Sequence, residues 1–377
     1  MRPITHAGLG LAAFVGSVGF ASAAGIDRTL PSTTRILFEE GTYGEVGLTY
    51  TDPHQRGDDA LLPQGFTGLP VPLPLAGETS DLFDPYWSLS GSFKSDINSR
   101  LSYALFLDQP FGANTDYGPD SFSPAVLSYE GTTATLDTWQ VSGVIAYDIR
   151  PDLKIYGGVR ALWTEASADV PFLFNYSVET GSDWGTGYLA GIAYSRPEIA
   201  LRVALTYASE VTIRYDTEEW QAFDSTTEVT FPQSVDLEFQ TGIAEDTLLF
   251  ASIRWVEWSV FEMAPQAYVA EFREPLVNYE KDYTTYTLGI GRQITDKLAG
   301  SLSIIHEPSE GGSNLNTLGP YDGRTLGAAA MSYDVDERIN ITGGFAFGHL
   351  GSTSNGFETD FDDGSVWSAG LRLGYTF

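Results

Sequence analysis

The chain is built from segments in which apolar and polar residues alternate, which is the pattern of β-strands with two different faces. The last twelve residues, VWSAGLRLGYTF, place six apolar side chains on one face of a strand: Trp367, Ala369, Leu371, Leu373, Tyr375 and Phe377. The other face carries mainly small residues together with Arg372. Such a strand suits a wall with lipid on one side and water or protein on the other.

Five pairs of alternating segments are joined by short polar turns: 138–147 with 153–163, 187–194 with 199–207, 234–243 with 248–255, 286–292 with 298–305, and 326–333 with 339–347. Long connections separate these pairs, at 165–186, 212–228, 259–282, 307–324 and 349–365. Three earlier segments (44–50, 86–93 and 101–111) and the last strand bring the total to fourteen. Short and long connections alternate strictly, as in transmembrane barrels with short periplasmic turns and long extracellular loops. The pattern therefore predicts an all-β, antiparallel transmembrane barrel over 43–377.

A soluble β-sandwich or propeller also has alternating strands, so the outward faces matter. Repeats with a fixed period of 40 to 50 residues are absent, which disfavours a propeller. Several predicted outward faces end in Trp or Tyr, where an interfacial aromatic girdle belongs. The clearest are Trp139, Val141, Gly143, Ile145 and Tyr147; Ile155, Gly157, Val159, Ala161 and Trp163; and Ile199, Leu201, Val203, Leu205 and Tyr207.

Composition and the first residues agree with an exported barrel. Arg2, an apolar stretch over 7–20 and the small residues 21–23 predict a signal peptide over 1–24. The chain has 40 Gly, 22 Phe, 20 Tyr and 8 Trp but no Cys, and its net charge is −30. Nucleic acid is not an expected partner, because binding it relies on Lys and Arg.

Three stretches resemble the FadL family of outer-membrane transporters for long-chain fatty acids and other hydrophobic compounds. They are LRVALTYASEVTIRY (201–215), a Pro-containing strand pair ending in WSVFE (231–262), and KDYTTYTLGIGRQITDKLAGSLSIIHEPSE (281–310). The resemblance implies passive transport of a hydrophobic ligand through a barrel plugged by an N-terminal hatch. Two departures from the family pattern are the missing Asn-Pro-Ala turn of the hatch and Ala208, where Arg is common.

A barrel of this size needs a plug, because its own side chains cannot fill the lumen. Residues 25–42, which include Pro31, are the expected hatch, with apolar Ile36, Leu37 and Phe38 against the inner wall and with Arg35 and Glu39 paired with luminal charges. A periplasmic leader outside the barrel is the alternative.

The third strand loses its alternation at Pro110, Phe111 and Gly112. Proline lacks a ladder donor and glycine permits unusual torsions, so the wall should loosen here. In the family that the chain resembles, a kink in this strand opens the wall sideways to the bilayer. An ordinary strand end leading into the loop 113–134 is the alternative.

Five bases fall on the inward phase of their strands: Lys154, Arg160, Arg202, Arg254 and Arg372. Arg160, Arg254 and Arg372 could form one belt that holds a carboxylate headgroup bidentately. The alternative is a structural ion-pair network with Asp236 and Glu238.

Two long connections contain more apolar residues than solvent-exposed loops need: Phe172, Leu173, Phe174, Met263, Tyr268, Val269, Phe272 and Leu276. We expect Phe172, Phe174 and Phe272 to form a capture groove for an acyl chain, with Arg273 or Lys281 facing its carboxylate. Packing of the loops against each other is the alternative.

Enzymatic and metal motifs are absent from the sequence: it has no nucleophile elbow, P-loop or zinc spacing. A lipid hydrolase would need His54, His306 or His349 beside a Ser or Asp. Acid pairs such as Asp58–Asp59, Glu218–Glu219 and Asp362–Asp363 are expected to be solvated loop charge, and binding of divalent cations that bridge lipopolysaccharide is the alternative. We therefore expect no catalytic residue, metal or cofactor. The expected partners are a fatty acid or other hydrophobic ligand and outer-membrane lipid with lipopolysaccharide, the expected state is a monomer, and the alternative function is a general or anion-selective diffusion porin.

Overall fold

The computed structural model describes residues 26–28, 33–58, 78–119, 121, 129–311, 318–354 and 359–377. The predicted signal peptide and Pro31 lie outside these residues. Among the described helices, none is long and apolar enough to cross a membrane.

The described chain is mostly β-structure with two short α-helices. The helices are α1 (Thr33–Ile36) and α2 (Gln266–Phe272), and 3-10 turns cover Pro197–Ile199 and Trp258–Val260. The β segments are β1 (Tyr43–Asp58), β2 (Tyr86–Asn98), β3 (Leu101–Asp108), β4 (Gly112–Asp116), β5 (Thr133–Arg150), β6 (Leu153–Val170), β7 (Tyr176–Thr180), β8 (Asp183–Arg196), β9 (Leu201–Ala208), β10 (Val211–Glu219), β11 (Phe223–Phe231), β12 (Ser234–Ala244), β13 (Thr247–Val256), β14 (Glu262–Met263), β15 (Val277–Asn278), β16 (Tyr283–Thr295), β17 (Leu298–Glu307), β18 (Arg324–Asp334), β19 (Ile339–Leu350), β20 (Thr353–Ser354) and β21 (Asp360–Thr376).

These segments form a closed antiparallel barrel, because β1 pairs with β2 on one side and with β21 on the other. Four wall strands are each made of two consecutive segments: β3 with β4, β7 with β8, β9 with β10, and β11 with β12. Counted in this way, the described residues give 14 wall strands, which confirms the predicted fold. We call the end with short connections, such as 151–152 and 245–246, the turn rim, and the opposite end the loop rim.

The two faces of the wall follow the predicted alternation. Val159 (68% exposed), Leu371 (64%) and Leu302 (63%) belong to an apolar outer belt, while the inward face mixes small and polar residues with buried apolar ones. Towards the loop rim, Trp139 pairs in register with Trp163 on the outer face, and Trp163 pairs with Trp184. Near the turn rim, the ring of Phe377 packs against Phe93 and Tyr375. These two aromatic levels mark the borders of the apolar belt.

Two predicted long connections are mostly strand. The loop expected over 165–186 is shortened to residues 171–175, between β6 and β7. The loop expected over 212–228 is shortened to residues 220–222, between β10 and β11. The reason is a polar outer face: Arg214 and Glu228 lie outward as an exposed ion pair at 2.7 Å. The ladder continues past the apolar belt, where the outer face no longer needs to be apolar.

The lumen is filled at two levels. Near the turn rim, Ile36 and Leu37 are fully buried against inward side chains of the wall, including Tyr156 and Leu189. Nearer the loop rim, a larger apolar cluster contains the buried rings of Phe111, Phe231 and Trp258. The described residues therefore fill the lumen at both of these levels.

Close approach of β5 and β6 requires glycine at position 158, because a Cβ there would overlap the Gly143 carbonyl oxygen. We predict that Gly158→Ala lowers the free energy of unfolding by about 1–3 kcal/mol, since backbone atoms must move apart. Urea unfolding in detergent, followed by the gel mobility of the folded barrel, measures this.

The matched control is Gly327→Ala, whose Cβ would lie 4.0 Å from its nearest atom, the Phe347 carbonyl oxygen. This variant should unfold as the unchanged protein does. Equal stability of the two variants would contradict the assigned packing.

Candidate functional site

The wall ladder is interrupted between β2 and the third wall strand. Pairing runs from Asn98 with Leu101 up to Gly91 with Leu107, and it resumes only as an isolated bridge between Phe83 and Thr115. We call the stretch between them, 85–90 against 108–113, the side opening. Within the described residues, the polar link across it is a hydrogen bond from the Leu89 N–H to Oε1 of Gln109 (2.9 Å).

The local sequence explains where the ladder breaks. Gln140 pairs with Asp108 and Asp137 pairs with Gly112, so the third wall strand carries one extra residue against β5. The N–H of Phe111 donates to the Thr138 hydroxyl (3.1 Å), and this hydroxyl donates to the Phe111 carbonyl (2.6 Å). Pro110 has no N–H to give to a ladder, so the bulge forms here.

Residues 26–28 pair with the bulge from inside the barrel. The Arg28 N–H donates to the Pro110 carbonyl (2.9 Å), and the Gly112 N–H donates to the Ile26 carbonyl (2.7 Å). These bonds place Asp27 opposite Phe111 in an antiparallel bridge. The N-terminal segment thus takes hydrogen bonds that the wall leaves unmade.

An apolar cavity of about 130 Å³ lies beside the side opening. Tyr86, Gly112 and Asn114 line it from the edges of the opening, and loop residues cover it from the loop rim. Its larger apolar lining residues are Ile26, Phe83, Tyr86, Leu136, Phe261, Met263, Leu276, Val277, Tyr279, Leu318, Tyr321, Leu350 and Val366. Such a cavity stabilises an apolar ligand by removing its surface from water.

Among the described residues that line the cavity, Arg28 is the only cation. It is 6% exposed, its guanidinium carbon lies 4.2 Å from the centre of the Tyr86 ring, and Nη2 donates to Oδ1 of Asn114 (2.5 Å). Among the described residues, no carboxylate forms an ion pair with it, and its buried Nε–H has no hydrogen-bond acceptor. Asp84 carries a carboxylate into the cavity lining, and the residue is largely exposed. The part of it that is buried raises its pKa most, and the Asp116 and Asp81 carboxylates raise its pKa further.

A polar layer lies on the turn-rim side of this cavity. A second cavity of about 50 Å³ is lined by Asp108, Arg160, Asp236, Glu238 and Arg254, among others. Aromatic rings separate the two cavities: Phe111 lines the polar one and contacts Phe231 and Trp258, while Phe261 and Tyr279 line the apolar one. Nη2 of Arg254 lies 3.1 Å from Asp27, and its Nη1 lies 3.0 Å from Asp236.

The predicted hatch residues lie at the turn rim, inside the barrel. Arg35 forms ion pairs with Glu45 and with Glu39 (3.4 Å), and Glu45 also pairs with Arg372 (3.4 Å). Phe38 stacks beneath Arg202, whose guanidinium carbon is 3.8 Å from the ring centre. The Lys154 ammonium donates to the Leu37 carbonyl (2.9 Å).

The five predicted bases are therefore spread over two depths. Arg160 and Arg254 share the polar cavity, whereas Lys154, Arg202 and Arg372 contact the hatch or its partners. The Nη2–H of Arg160 donates to the Ser209 carbonyl (2.5 Å). These contacts support the ion-pair network that was the alternative to a carboxylate belt.

The five residues predicted to form the capture groove and to face its carboxylate do not line the apolar cavity: Phe172, Phe174, Phe272, Arg273 and Lys281. The Phe174 ring is 75% exposed and stacks on Phe272 with ring centres 6.4 Å apart, and Arg273 and Lys281 are exposed. Phe172 packs against Tyr129. Met263 and Leu276, from the same apolar loops, do line the cavity. Arg28 had no sequence signal, because it lies outside every alternating segment.

The described histidines lie at the surface of the barrel or beside loop-rim carboxylates. Nδ1 of His306 lies 2.9 Å from the Thr325 hydroxyl, and both His306 and His349 are exposed on the outer face. His54 lies beside Asp81 and Asp52 at the loop rim. In the described part of the chain, no group of three or more His, Cys, Asp or Glu residues could hold a metal ion.

Glu219 organises the cap over the loop rim. It is fully buried, and its carboxylate accepts hydrogen bonds from the N–H groups of Ala267 (2.9 Å) and Tyr268 (2.7 Å) at the start of α2. The Tyr176 hydroxyl donates to the same carboxylate (3.1 Å). Burial, and secondarily the Glu274 carboxylate, raise the pKa of Tyr268, so this ring stays neutral.

Comparisons with known proteins show which proteins this sequence and this fold are similar to. A family model described as outer membrane protein transport protein (OMPP1/FadL/TodX) matches residues 5–372. The fold is similar to that of a FadL homologue from Pseudomonas aeruginosa (TM-score 0.70, 13% identity, covering 90% of this chain and 91% of that chain). It is also similar to the Pseudomonas putida toluene transporter TodX (0.63, 13%, 90% and 91%) and the Ralstonia pickettii toluene transporter TbuX (0.62, 15%, 96% and 98%). No curated protein sequence matches the chain.

We predict that Glu219→Gln loosens the loop-rim cap. The amide has only one acceptor oxygen and no charge, so buried donors of α2 lose a charge-assisted partner worth about 1.5–3 kcal/mol. Limited proteolysis of the folded protein should then cleave within 263–277 about tenfold faster or more.

Glu228→Gln is the control, because Glu228 belongs to an exposed ion pair on the adjacent segment β11. It should leave the cleavage rate unchanged. An unchanged rate in Glu219→Gln would show that the carboxylate does not hold the cap.

Proposed function

Because the chain belongs to the OMPP1/FadL/TodX family of outer-membrane transport proteins, we propose that it carries hydrophobic carboxylates, above all long-chain fatty acids, passively across the outer membrane. The resemblance found in the sequence is thereby confirmed, as is the location in the outer membrane of a Gram-negative bacterium. The family transports hydrophobic compounds through channels. The finer proposal concerns the ligand and its route.

One observation carries the choice of a carboxylate. Arg28 is buried at an apolar cavity and, among the described residues, lacks an ion-pair partner. A buried cation is costly to leave uncompensated, and a guanidinium matches a carboxylate bidentately. A ligand with an apolar body and one carboxylate meets both demands of the cavity.

The proposed route begins at the loop rim, uses the cavity as its binding site, and leaves through the side opening into the bilayer. The position of the side opening supports this, because Tyr86 and Gly112 belong to the opening and also line the cavity. Onward movement along the axis would take an apolar chain through the polar layer around Arg254 and the hatch at Arg35. A sideways exit avoids transfer of the acyl chain into polar surroundings.

Neutral monoaromatic compounds are the second candidate, favoured by the size of the cavity. A dry apolar cavity of about 150 Å³ binds benzene in another protein, and this one encloses about 130 Å³ with several aromatic lining residues. A long acyl chain would extend out of it towards the side opening. TodX and TbuX, which share the fold, are toluene transporters.

We predict that Arg28→Met lowers saturable uptake of a labelled sixteen-carbon fatty acid by about tenfold or more, since the lost charge-assisted hydrogen bonds are worth about 1.5–3 kcal/mol. Toluene uptake should change less than about twofold. Cells expressing each variant at matched surface level provide the measurement, with leakage of a small hydrophilic solute recorded in parallel.

Arg214→Met is the matched control, because Arg214 is an exposed arginine at the loop rim. It should leave all three readouts unchanged. Undiminished fatty-acid uptake in Arg28→Met would contradict the carboxylate assignment, and toluene uptake alone in the unchanged protein would favour the second candidate. Free passage of the hydrophilic solute without hydrophobic uptake would favour the diffusion porin.

A further inference from the structure

The N-terminal segment occupies the position that β2 would hold in an unbroken wall. The β2–β3 register runs through Gly91 with Leu107, and the bridge of Phe83 with Thr115 keeps the same offset beyond the side opening. Continued through the opening, this register puts Trp87 opposite Phe111. The residue found opposite Phe111 is Asp27.

The N-terminal segment bonds to the same backbone groups of the third wall strand that β2 would use in an unbroken wall. In an extended chain, the N–H and C=O of one residue face one neighbour, and the peptide groups flanking that residue face the other. The N–H and C=O of Phe111 face Thr138 of β5. The Pro110 carbonyl and the Gly112 N–H therefore face the side where β2 belongs, and these two groups bond to Arg28 and Ile26.

Anchors on the luminal side hold the segment in this place. The Asp27 carboxylate is 1% exposed and pairs with Arg254 at 3.1 Å. Arg28 is held by Asn114 and by the face of the Tyr86 ring. Both anchors are buried, so water competes weakly with them.

From this geometry we propose that segment 26–28 and the 86–90 part of β2 compete for one acceptor edge, by which we mean the strand edge formed by the Pro110 carbonyl and the Gly112 N–H. While the segment occupies this edge, the wall stays open beside the cavity. When it leaves, the two groups would face an apolar surrounding unpaired, and pairing with β2 is the arrangement that satisfies them. The N-terminal segment is then a prop that keeps the side opening open, and not only part of a plug.

The exchange regulates the proposed side exit. The inference rests on the proposed transport function only for its biological role. The strand exchange itself is a structural change, which can be measured without a transport assay. The absence of cysteine from the sequence makes it testable by paired cysteine substitutions.

The reporter is Leu89→Cys with Gln109→Cys, two positions across the side opening that the continued register makes neighbours. The protein is oxidised in lipid vesicles, and the rate of disulfide formation is measured with and without Asp27→Ala. Removing the Arg254 anchor should free the acceptor edge, so we expect the reporter to cross-link about tenfold faster or more with Asp27→Ala. Asp27→Asn, which keeps the shape of the side chain, should give an increase as well.

The control pair is Gly91→Cys with Leu107→Cys, which already lie opposite each other in the ladder. It should cross-link at one rate in all three backgrounds, which also shows that the wall below the opening has folded. An unchanged reporter rate beside an unchanged control would overturn the proposal, and so would rapid reporter cross-linking without any change at Asp27.

The same reporter separates this inference from the transport proposal. In cells, oxidation of the reporter with Asp27→Ala should lower uptake of the labelled fatty acid, and a reductant should restore it. Faster cross-linking without any effect on uptake would support the exchange and contradict the side exit. Loss of uptake on oxidation with unchanged cross-linking rates would contradict the exchange alone.

Discussion

A chain surrounded by lipid has to satisfy its backbone hydrogen bonds internally, and this constraint shapes the whole molecule. Strand β1 meets the constraint by closing the sheet on β21, with pairs that run from Tyr43 with Thr376 to Asp58 with Asp360 and with one register shift between His54 and Arg56. Closure joins the first strand to the last, but it also fixes a diameter that the wall residues cannot fill. The remainder of the structure answers this second problem with the hatch, the polar layer and the aromatic cluster.

These luminal layers differ in polarity. At the turn rim and in the polar layer, charges are paired within the protein, as in Arg35 with Glu45 and Arg254 with Asp236. Paired charges satisfy each other and still form a poor surrounding for an apolar chain. The apolar cavity lies above them and carries Arg28 without an ion-pair partner in the described chain. This order of layers agrees with the proposed route, in which the ligand binds near the loop rim and does not travel along the axis.

Much of the wall was predictable from the sequence, because a period of two is imposed by the lipid itself. The sequence prediction missed the parts of β10 and β11 that lie beyond the apolar belt. There Arg214 and Glu228 face outward, so the apolar outward face that marks contact with lipid ends. It located the break at Pro110 from local chemistry, since a missing N–H can be read from one residue. It could not find the partner of the break, because residues 26–28 reach Phe111 across more than eighty positions and carry no periodicity.

The loop aromatics show the same limit from another direction. Phe174 and Phe272 are apolar in a region that could have been polar, which indicated a ligand groove. In the structure, they stack on each other at the surface, because composition reports that a side chain is apolar and not which way its backbone aims it. The cavity residues that were missed, such as Tyr321 and Leu350, come from connections and strand ends far apart in the chain.

The cavity and the side opening share a component, which ties binding to the state of the wall. Arg28 lines the cavity through its guanidinium and bonds to the third wall strand through its backbone N–H. Gly112 makes this possible, since a Cβ there would overlap that guanidinium. A ligand in the cavity therefore contacts the segment that pairs with the broken strand. Any difference in ligand affinity between the paired and released arrangements must shift their balance by the same free energy, and the arrangement of the wall must alter ligand affinity in return.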